Sequence, residues 1–197
     1  MATTGWIGKA LGAVLAVAIL GAGPSPSVTV VGGTPAQQQL ASWAIDRYET
    51  AGLVLPRTEI RFHDDATGCR GRLGYYEAGV VDLCSSHLDG IASRTIVHEM
   101  AHGWLEASLT AEDRERFLDL RGLTTWNDPD ADWDDRGFEQ AAEIMAWAIG
   151  DQHEGIDAPS FANNSRPELA AAYRMLTGRP MPQLEPGMLW QDPADAG

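Results

Sequence analysis

The segment TIVHEMAHGW, residues 95–104, places three ionisable side chains in an otherwise apolar stretch. Residues four apart lie one turn above each other on an α-helix, so His98 and His102 would present their imidazoles to one point. Glu99 would lie about 100° around the helix from His98, beside the same point. A helix that is apolar on nearly every other side is buried, and burying ionisable groups is costly unless something binds them. The pattern therefore indicates a site within the protein core.

The chemistry of these three residues points to a metal. Two neutral imidazoles that converge in a buried site suit Zn²⁺. The pattern H-E-x-x-H is also characteristic of zinc hydrolases in which the glutamate is the general base, so Glu99 is the candidate catalytic residue. A catalytic zinc needs a third protein ligand and one open position. The third histidine of the metzincin pattern H-E-x-x-H-x-x-G-x-x-H is excluded, because Leu105 and Ser108 occupy the glycine and histidine positions.

A second helix, predicted over residues 138–150, supplies candidate carboxylate ligands. Its only charged residues are Glu139 and Glu143, which are four apart and therefore on one face of a mostly apolar helix. Two buried carboxylates raise the same energetic problem as the histidines, and a shared metal ion would solve both. Spacing alone does not decide which acid is the ligand, and two other arrangements stay open, an ion pair with an arginine or ligation by a later histidine. The arginines are Arg94, Arg114 and Arg136, and the histidine is His153.

An H-E-x-x-H helix followed by a downstream helix that carries E-x-x-x-[DE] resembles the gluzincin metallopeptidases, the thermolysin-like clan. The resemblance covers roughly residues 92–150, with Glu in place of the usual Asp as the second acid. It implies that the two histidines and Glu139 hold Zn²⁺ and that Glu143 orients a ligand histidine. It also implies that Glu99 takes the proton of the attacking water and passes it to the leaving amine.

These observations predict a secreted, monomeric, zinc-dependent peptidase that acts on peptide or protein substrates. One alternative is a secreted non-catalytic binding or structural protein that keeps the zinc as a staple, and another is a zinc hydrolase acting on a non-peptide amide such as a cell-wall fragment. A net charge of −14 argues against nucleic acid or an anionic membrane as a partner. Peptide hydrolysis usually needs an oxyanion stabiliser. The candidates are Tyr75, Tyr76, Tyr173 and His153.

The length of 197 residues suits one domain with a single core. Residues 1–23 contain one lysine followed by a short apolar run, which is typical of a secretory signal peptide, with an uncleaved membrane anchor as the alternative. Residues 24–34 are expected to be a flexible lead-in. Residues 35–180 are expected to form a zincin-like domain, and residues 181–197 an irregular tail.

The predicted fold is α+β, with a short mixed or antiparallel sheet whose hairpin packs on the H-E-x-x-H helix and the glutamate helix. The hairpin, residues 72–84, turns at Ala78 and Gly79. Cys69 and Cys84 are expected to form a disulfide between the entry and exit of this hairpin, with two free thiols as the alternative. Apolar periodicity also predicts helices at 35–52, 92–109, 110–122 and 165–178 and a strand within 57–65.

Overall fold

A computed structural model of the protein describes residues 27–84, 88–152, 164–185 and 189–191. Within these residues the fold is α+β, with five α-helices and one four-stranded sheet. The predicted signal peptide, residues 1–23, lies outside the described residues. The strands are β1 (Val28–Val31), β2 (Thr58–Phe62), β3 (Gly74–Glu77) and β4 (Val80–Leu83). The helices are α1 (Pro35–Thr50), α2 (Gly90–Ser108), α3 (Ala111–Arg121), α4 (Gly137–Ala146) and α5 (Arg166–Thr177), with a short 3-10 turn at Trp133–Asp135 and a π-helical turn at Trp147–Asp151.

The sheet is mixed, with the strand order β1-β2-β4-β3. Neighbouring strands β1, β2 and β4 run parallel, and β3 joins β4 antiparallel through the predicted hairpin. The turn residues Ala78 and Gly79 both have positive φ, 49° and 85°, which suits a two-residue hairpin turn. Strand β3 is therefore an edge strand, and within the described residues its outer side has no strand partner.

The expectation of a flexible segment at residues 24–34 is wrong for Val28–Val31, which forms β1. This strand pairs in parallel register with residues 58–61 of β2. The sequence does not reveal it because β1 lies at the sheet edge. There, Val30 and Val31 are exposed, so the strand lacks the alternation of buried and exposed residues that marks a half-buried strand.

Local capping signals set where the central helices begin. Asp89 caps α2, because its side chain accepts hydrogen bonds from two backbone N–H groups of the first turn. Thr110 and Asp113 form a reciprocal capping box at the start of α3, and Gly122 ends that helix with a φ of 72°. None of the helices in the described part of the chain has the length and hydropathy that crossing a membrane requires.

Helix α2 lies at the centre of the fold and packs against α4 and against strands β3 and β4. Its apolar residues, such as Ile96 and Met100, are buried in the same core as Ile144 of α4. Tyr48 of α1 is fully buried and donates a hydrogen bond of 2.8 Å to the carbonyl of Val97. Because α2 contacts both the sheet and α4, its polar side chains meet residues from both.

Cys69 and Cys84 form the predicted disulfide, with an S–S distance of 2.08 Å. The bond joins the segment before β3 to the end of β4 and so encloses the hairpin. A crosslink across a sequence separation of 15 residues stabilises a fold by about 3 kcal/mol, because it restricts the unfolded chain.

Part of the C-terminal tail packs beside the start of α2. Residues 181–185 and 189–191 contain no helix or strand. Trp190 packs edge-on against Trp43, with ring centroids 6.0 Å apart. Its indole N–H donates a hydrogen bond of 2.7 Å to the carbonyl of Leu88. These contacts fix the segment at the end of a cleft that α2 borders.

Candidate metal centre

His98, His102 and Glu139 lie together where α2 meets α4. All three are buried, and one potential ligand atom from each lies within 4.8 Å of the other two. Oε2 of Glu139 is 3.2 Å from Nε2 of His98 and 3.3 Å from Nε2 of His102. The two imidazole rings come from successive turns of α2 and meet edge-on, with centroids 4.7 Å apart. This buried group could hold a metal ion.

The second acid of α4, Glu143, contacts the same centre from the other side of one histidine. Its Oε1 lies 3.1 Å from Nδ1 of His98, the ring nitrogen that faces away from Glu139. Its Oε2 accepts hydrogen bonds of 2.6 Å and 3.1 Å from the guanidinium of Arg94. An ion pair with Arg94, one of the arrangements left open by the sequence, is therefore present for Glu143, whereas Glu139 contacts the two histidines.

The other two candidate arginines have different contacts. The guanidinium of Arg114 lies over the ring of Trp126, 5.6 Å from its centroid. Arg136 donates hydrogen bonds to the carbonyl of Ala131 in the loop before α4. His153, considered as a ligand and as an oxyanion stabiliser, lies outside the described residues.

Contacts at the centre shift the pKa values of its members in opposite directions. Burial alone would lower the pKa of His98, but hydrogen bonding to Glu139 and Glu143 raises it to about 10. Burial lowers the pKa of His102. Burial would raise the pKa of both acids, but contacts with the two histidines lower the pKa of Glu139. Contacts with His98 and Arg94 bring the pKa of Glu143 to about 2. In the metal-free protein, His98 therefore carries a proton near neutral pH, between two carboxylates.

Glu99 is buried beside the centre and faces β3. Gly74 of β3 lies directly against it, since a Cβ atom at position 74 would be 2.7 Å from Cγ and 2.8 Å from Oε1 of Glu99. Burial raises the pKa of Glu99 to about 7, although the charges of His98 and Arg72 act to lower it. A carboxyl group with a pKa near neutrality can both take up and release a proton under ordinary conditions, as a general base must.

The centre opens into a cleft of about 1220 Å³. Its walls include residues of β3, the first turns of α2 and the loop before α4. Trp133 of that loop stacks near His98, with ring centroids 6.4 Å apart and an angle of 23° between the planes. Phe138 packs against His102, with centroids 4.2 Å apart. A ligand in the cleft would thus meet the buried polar group between aromatic side chains.

The tyrosines considered as oxyanion stabilisers lie in different places. Tyr75 and Tyr76 line the cleft. The hydroxyl of Tyr76 donates a hydrogen bond of 2.7 Å to Glu106 and accepts one from a backbone N–H. Tyr173 is fully buried in the core and does not line the cleft, so it is excluded from the candidate stabilisers. The reason is that it lies on the apolar face of α5, which packs into the protein.

One contact at the centre, that of Gly74 with Glu99, was not predicted from the sequence although it had a local signal. Gly74 is the first residue of β3, and a glycine in a strand often marks a close approach of another group. Arg94, one of the three arginines considered as ion-pair partners, precedes His98 by four residues and so lies on the same face of α2, where it reaches Glu143.

Comparisons of the chain with protein-family models, with curated proteins and with solved structures find no match.

Proposed function

We propose that this protein is a secreted zinc-dependent peptidase, a minimal form of the gluzincin type. His98, His102 and Glu139 would hold the metal and Glu99 would act as the general base. The observation that carries the proposal is the convergence of three buried ligand atoms at the wall of an open cleft, with a fourth ionisable group beside them.

The distances within the centre support zinc as the metal. Bonds of 2.0–2.1 Å arranged tetrahedrally put neighbouring ligand atoms about 3.3 Å apart. Oε2 of Glu139 lies 3.2 Å and 3.3 Å from the two Nε2 atoms, so the side chains would need little movement to bind the ion. Glu143 faces the remaining nitrogen of His98, the contact that commonly orients a ligand histidine.

The proposed mechanism assigns the proton transfers to Glu99. A bound zinc ion would polarise the substrate carbonyl and lower the pKa of a water molecule. Glu99 would accept a proton from that water as its oxygen bonds to the carbonyl carbon. Glu99 would then donate the proton to the amide nitrogen as the C–N bond breaks, which yields a carboxylic acid and an amine. Burial raises the pKa of Glu99 above that of an ordinary carboxyl group, which strengthens it as a proton acceptor.

The cleft supports a peptide substrate. Strand β3 lines the cleft and, among the described residues, forms one edge of the sheet. The outer edge of such a strand can pair with an extended peptide through backbone hydrogen bonds. Gly74 of this strand contacts Glu99, so a peptide along β3 would pass close to the base.

The openness of the centre favours an enzyme over a zinc-stapled structural protein. Structural zinc sites are closed by four protein ligands, whereas catalytic sites have three and keep one open position. Among the described residues, three candidate ligands face a cleft of about 1220 Å³. The disulfide between Cys69 and Cys84 also fits the proposed secretion, since such bonds persist in oxidising environments.

Metal analysis combined with one isosteric variant tests the proposal. We expect about one zinc per purified chain, consistent with a single catalytic site, and loss of that zinc in His98→Ala. Glu99→Gln should retain zinc but lose hydrolysis of an unfolded protein substrate. Glu115→Gln, which changes an exposed glutamate on α3, is the matched control and should keep both properties.

Three outcomes would count against this proposal. A wild-type chain without stoichiometric zinc would reject the metal centre. Zinc binding without hydrolysis of any protein or amide would favour the structural role. The wild-type chain is also assayed on peptidoglycan fragments. Cleavage of these fragments but of no peptide would favour the non-peptide hydrolase.

A further inference from the structure

In the part of the chain that the structure describes, four arginines line the cleft, and three of them contact other groups of the protein. Arg94 pairs with Glu143, and Arg136 donates hydrogen bonds to backbone carbonyls. The guanidinium of Arg70 lies 3.0 Å from Glu77 and stacks 4.2 Å from the ring centroid of Tyr75. The guanidinium groups of these three residues are therefore bound to other groups in the cleft wall.

Arg72 differs from these three arginines. Its guanidinium makes no ion pair with any acid among the described residues and lies 6.0 Å from the ring centroid of Tyr75. The residue is exposed in the cleft, and Glu99 belongs to the lining of the same cleft. In a chain with a net charge of −14, an arginine that makes no described ion pair in the cleft of the candidate base is unusual.

The backbone holds Arg72 in a fixed place. Residues 66–72 form consecutive turns, in which the N–H of Arg72 donates a hydrogen bond of 3.0 Å to the carbonyl of Cys69. Arg70 has a φ of 53° and Gly71 one of 82°. A positive φ is uncommon for a residue other than glycine, so the conformation of Arg70 is unusual. The disulfide of Cys69 ties this turn to the end of β4. The backbone that carries Arg72 is therefore restrained, so less backbone freedom is lost when its side chain binds a ligand.

We propose that Arg72 is a specificity-determining residue that binds a carboxylate group of the substrate next to the bond that is cleaved. The inference rests on the proposed peptidase function and adds its substrate class. The planar guanidinium matches a carboxylate with two parallel hydrogen bonds. Arg72 lies two residues before Gly74, the point of β3 that contacts Glu99, so the carboxylate would belong to a residue near the scissile bond. That carboxylate is either an acidic side chain or the free C-terminus of the peptide.

Binding of matched peptides to the metal-free full chain tests this without relying on hydrolysis. Three N-acetylated hexapeptides have the same sequence except at one internal position. The first has Glu at this position and an amidated C-terminus. The second has Gln in place of Glu and the same amide, and the third has Gln and a free C-terminal carboxylate. The set is repeated with the internal Glu or Gln at each position of the hexapeptide in turn. Affinity is measured by isothermal titration calorimetry.

We expect one of the two acidic peptides to bind about fivefold more tightly than the neutral one, as for one exposed ion pair. Arg72→Gln should abolish this difference. Arg72→Glu should instead favour a fourth peptide, which has Lys in place of the internal Glu and an amidated C-terminus. Arg116→Gln, an exposed arginine of α3 outside the cleft, should leave the difference unchanged. The arm that binds more tightly distinguishes an acidic side chain from a C-terminal carboxylate.

Equal binding of all three peptides by the wild-type chain, absence of binding, or an unchanged preference in Arg72→Gln would each overturn the inference. If the inference is correct but the proposed peptidase function is wrong, the results differ from these. The acidic peptide would then still bind more tightly through Arg72, but the zinc-loaded protein would not cleave it.

Discussion

The backbone of Gly74 lies directly against the carboxylate of Glu99, so close that a Cβ atom at position 74 would be 2.8 Å from Oε1. The glycine belongs to the edge strand β3 and the glutamate to α2, so this contact joins the sheet to the candidate base. A real Cβ at that distance requires one of the two groups to move. The position of Glu99 therefore depends on a residue that carries no functional group.

Gly74→Ala should reduce hydrolysis without removing the metal. The added methyl group would clash with Cγ2 of Thr95 at 2.6 Å and with Cγ of Glu99 at 2.7 Å. A displacement of Glu99 by about 1 Å would cost roughly a hundredfold in rate. The zinc content should stay at the wild-type level, because the candidate ligands come from α2 and α4. The measurements are kcat/KM on a peptide substrate and zinc content. Gly90→Ala is the control, since a Cβ there meets no atom within 4 Å, and equal rates for both variants would refute the dependence on Gly74.

The two acids of α4 should contribute unequally to zinc affinity. Glu139 contacts both Nε2 atoms, whereas Glu143 contacts Nδ1 of His98. Removing a residue that only orients a ligand lowers metal affinity about 10- to 100-fold, and Glu143→Gln should fall in that range. Glu139→Gln should lose more, because a ligand is removed. Competition with a chromophoric chelator measures both, and the opposite ranking would assign the ligand role to Glu143.

Arg94 should act on zinc affinity through Glu143. Its guanidinium donates two hydrogen bonds to Oε2 of this acid, whose other oxygen faces His98. Arg94→Met keeps most of the side-chain stem but leaves Glu143 without its cation, so we expect zinc affinity to fall about tenfold. Arg94→Lys should restore part of the loss. The same chelator competition tests this, and wild-type affinity in Arg94→Met would show that Glu143 does not need the arginine.

Zinc binding should release about one proton per ion at pH 7.5. The pKa of His98 in the metal-free protein is raised to about 10, so this histidine is protonated at that pH, whereas ligation requires its neutral form. Zinc affinity should consequently rise with pH between pH 6 and pH 8. Calorimetric titration in buffers with different ionisation enthalpies measures the released protons. A binding enthalpy that is the same in all buffers would contradict the protonated state of His98.

The sequence by itself determined the features that depend on spacing along one helix or one turn. Because an α-helix has a fixed rotation per residue, His98 and His102 had to share a face with Glu99 beside them. The same rule placed Glu139 and Glu143 on one face of α4. The turn at Ala78 and Gly79 and the disulfide between Cys69 and Cys84 were also predicted, because their signals are local or have few alternatives.

Only the tertiary structure decided how these separate pieces meet. The crossing of α2 and α4 brings Glu139 to both Nε2 atoms and turns Glu143 toward Nδ1 of His98 and Arg94. Parallel pairing across a long connection places Val28–Val31 in the sheet, and the packing of α5 buries Tyr173. Such contacts depend on the relative positions of elements distant in the chain, which periodicity within a single element does not specify.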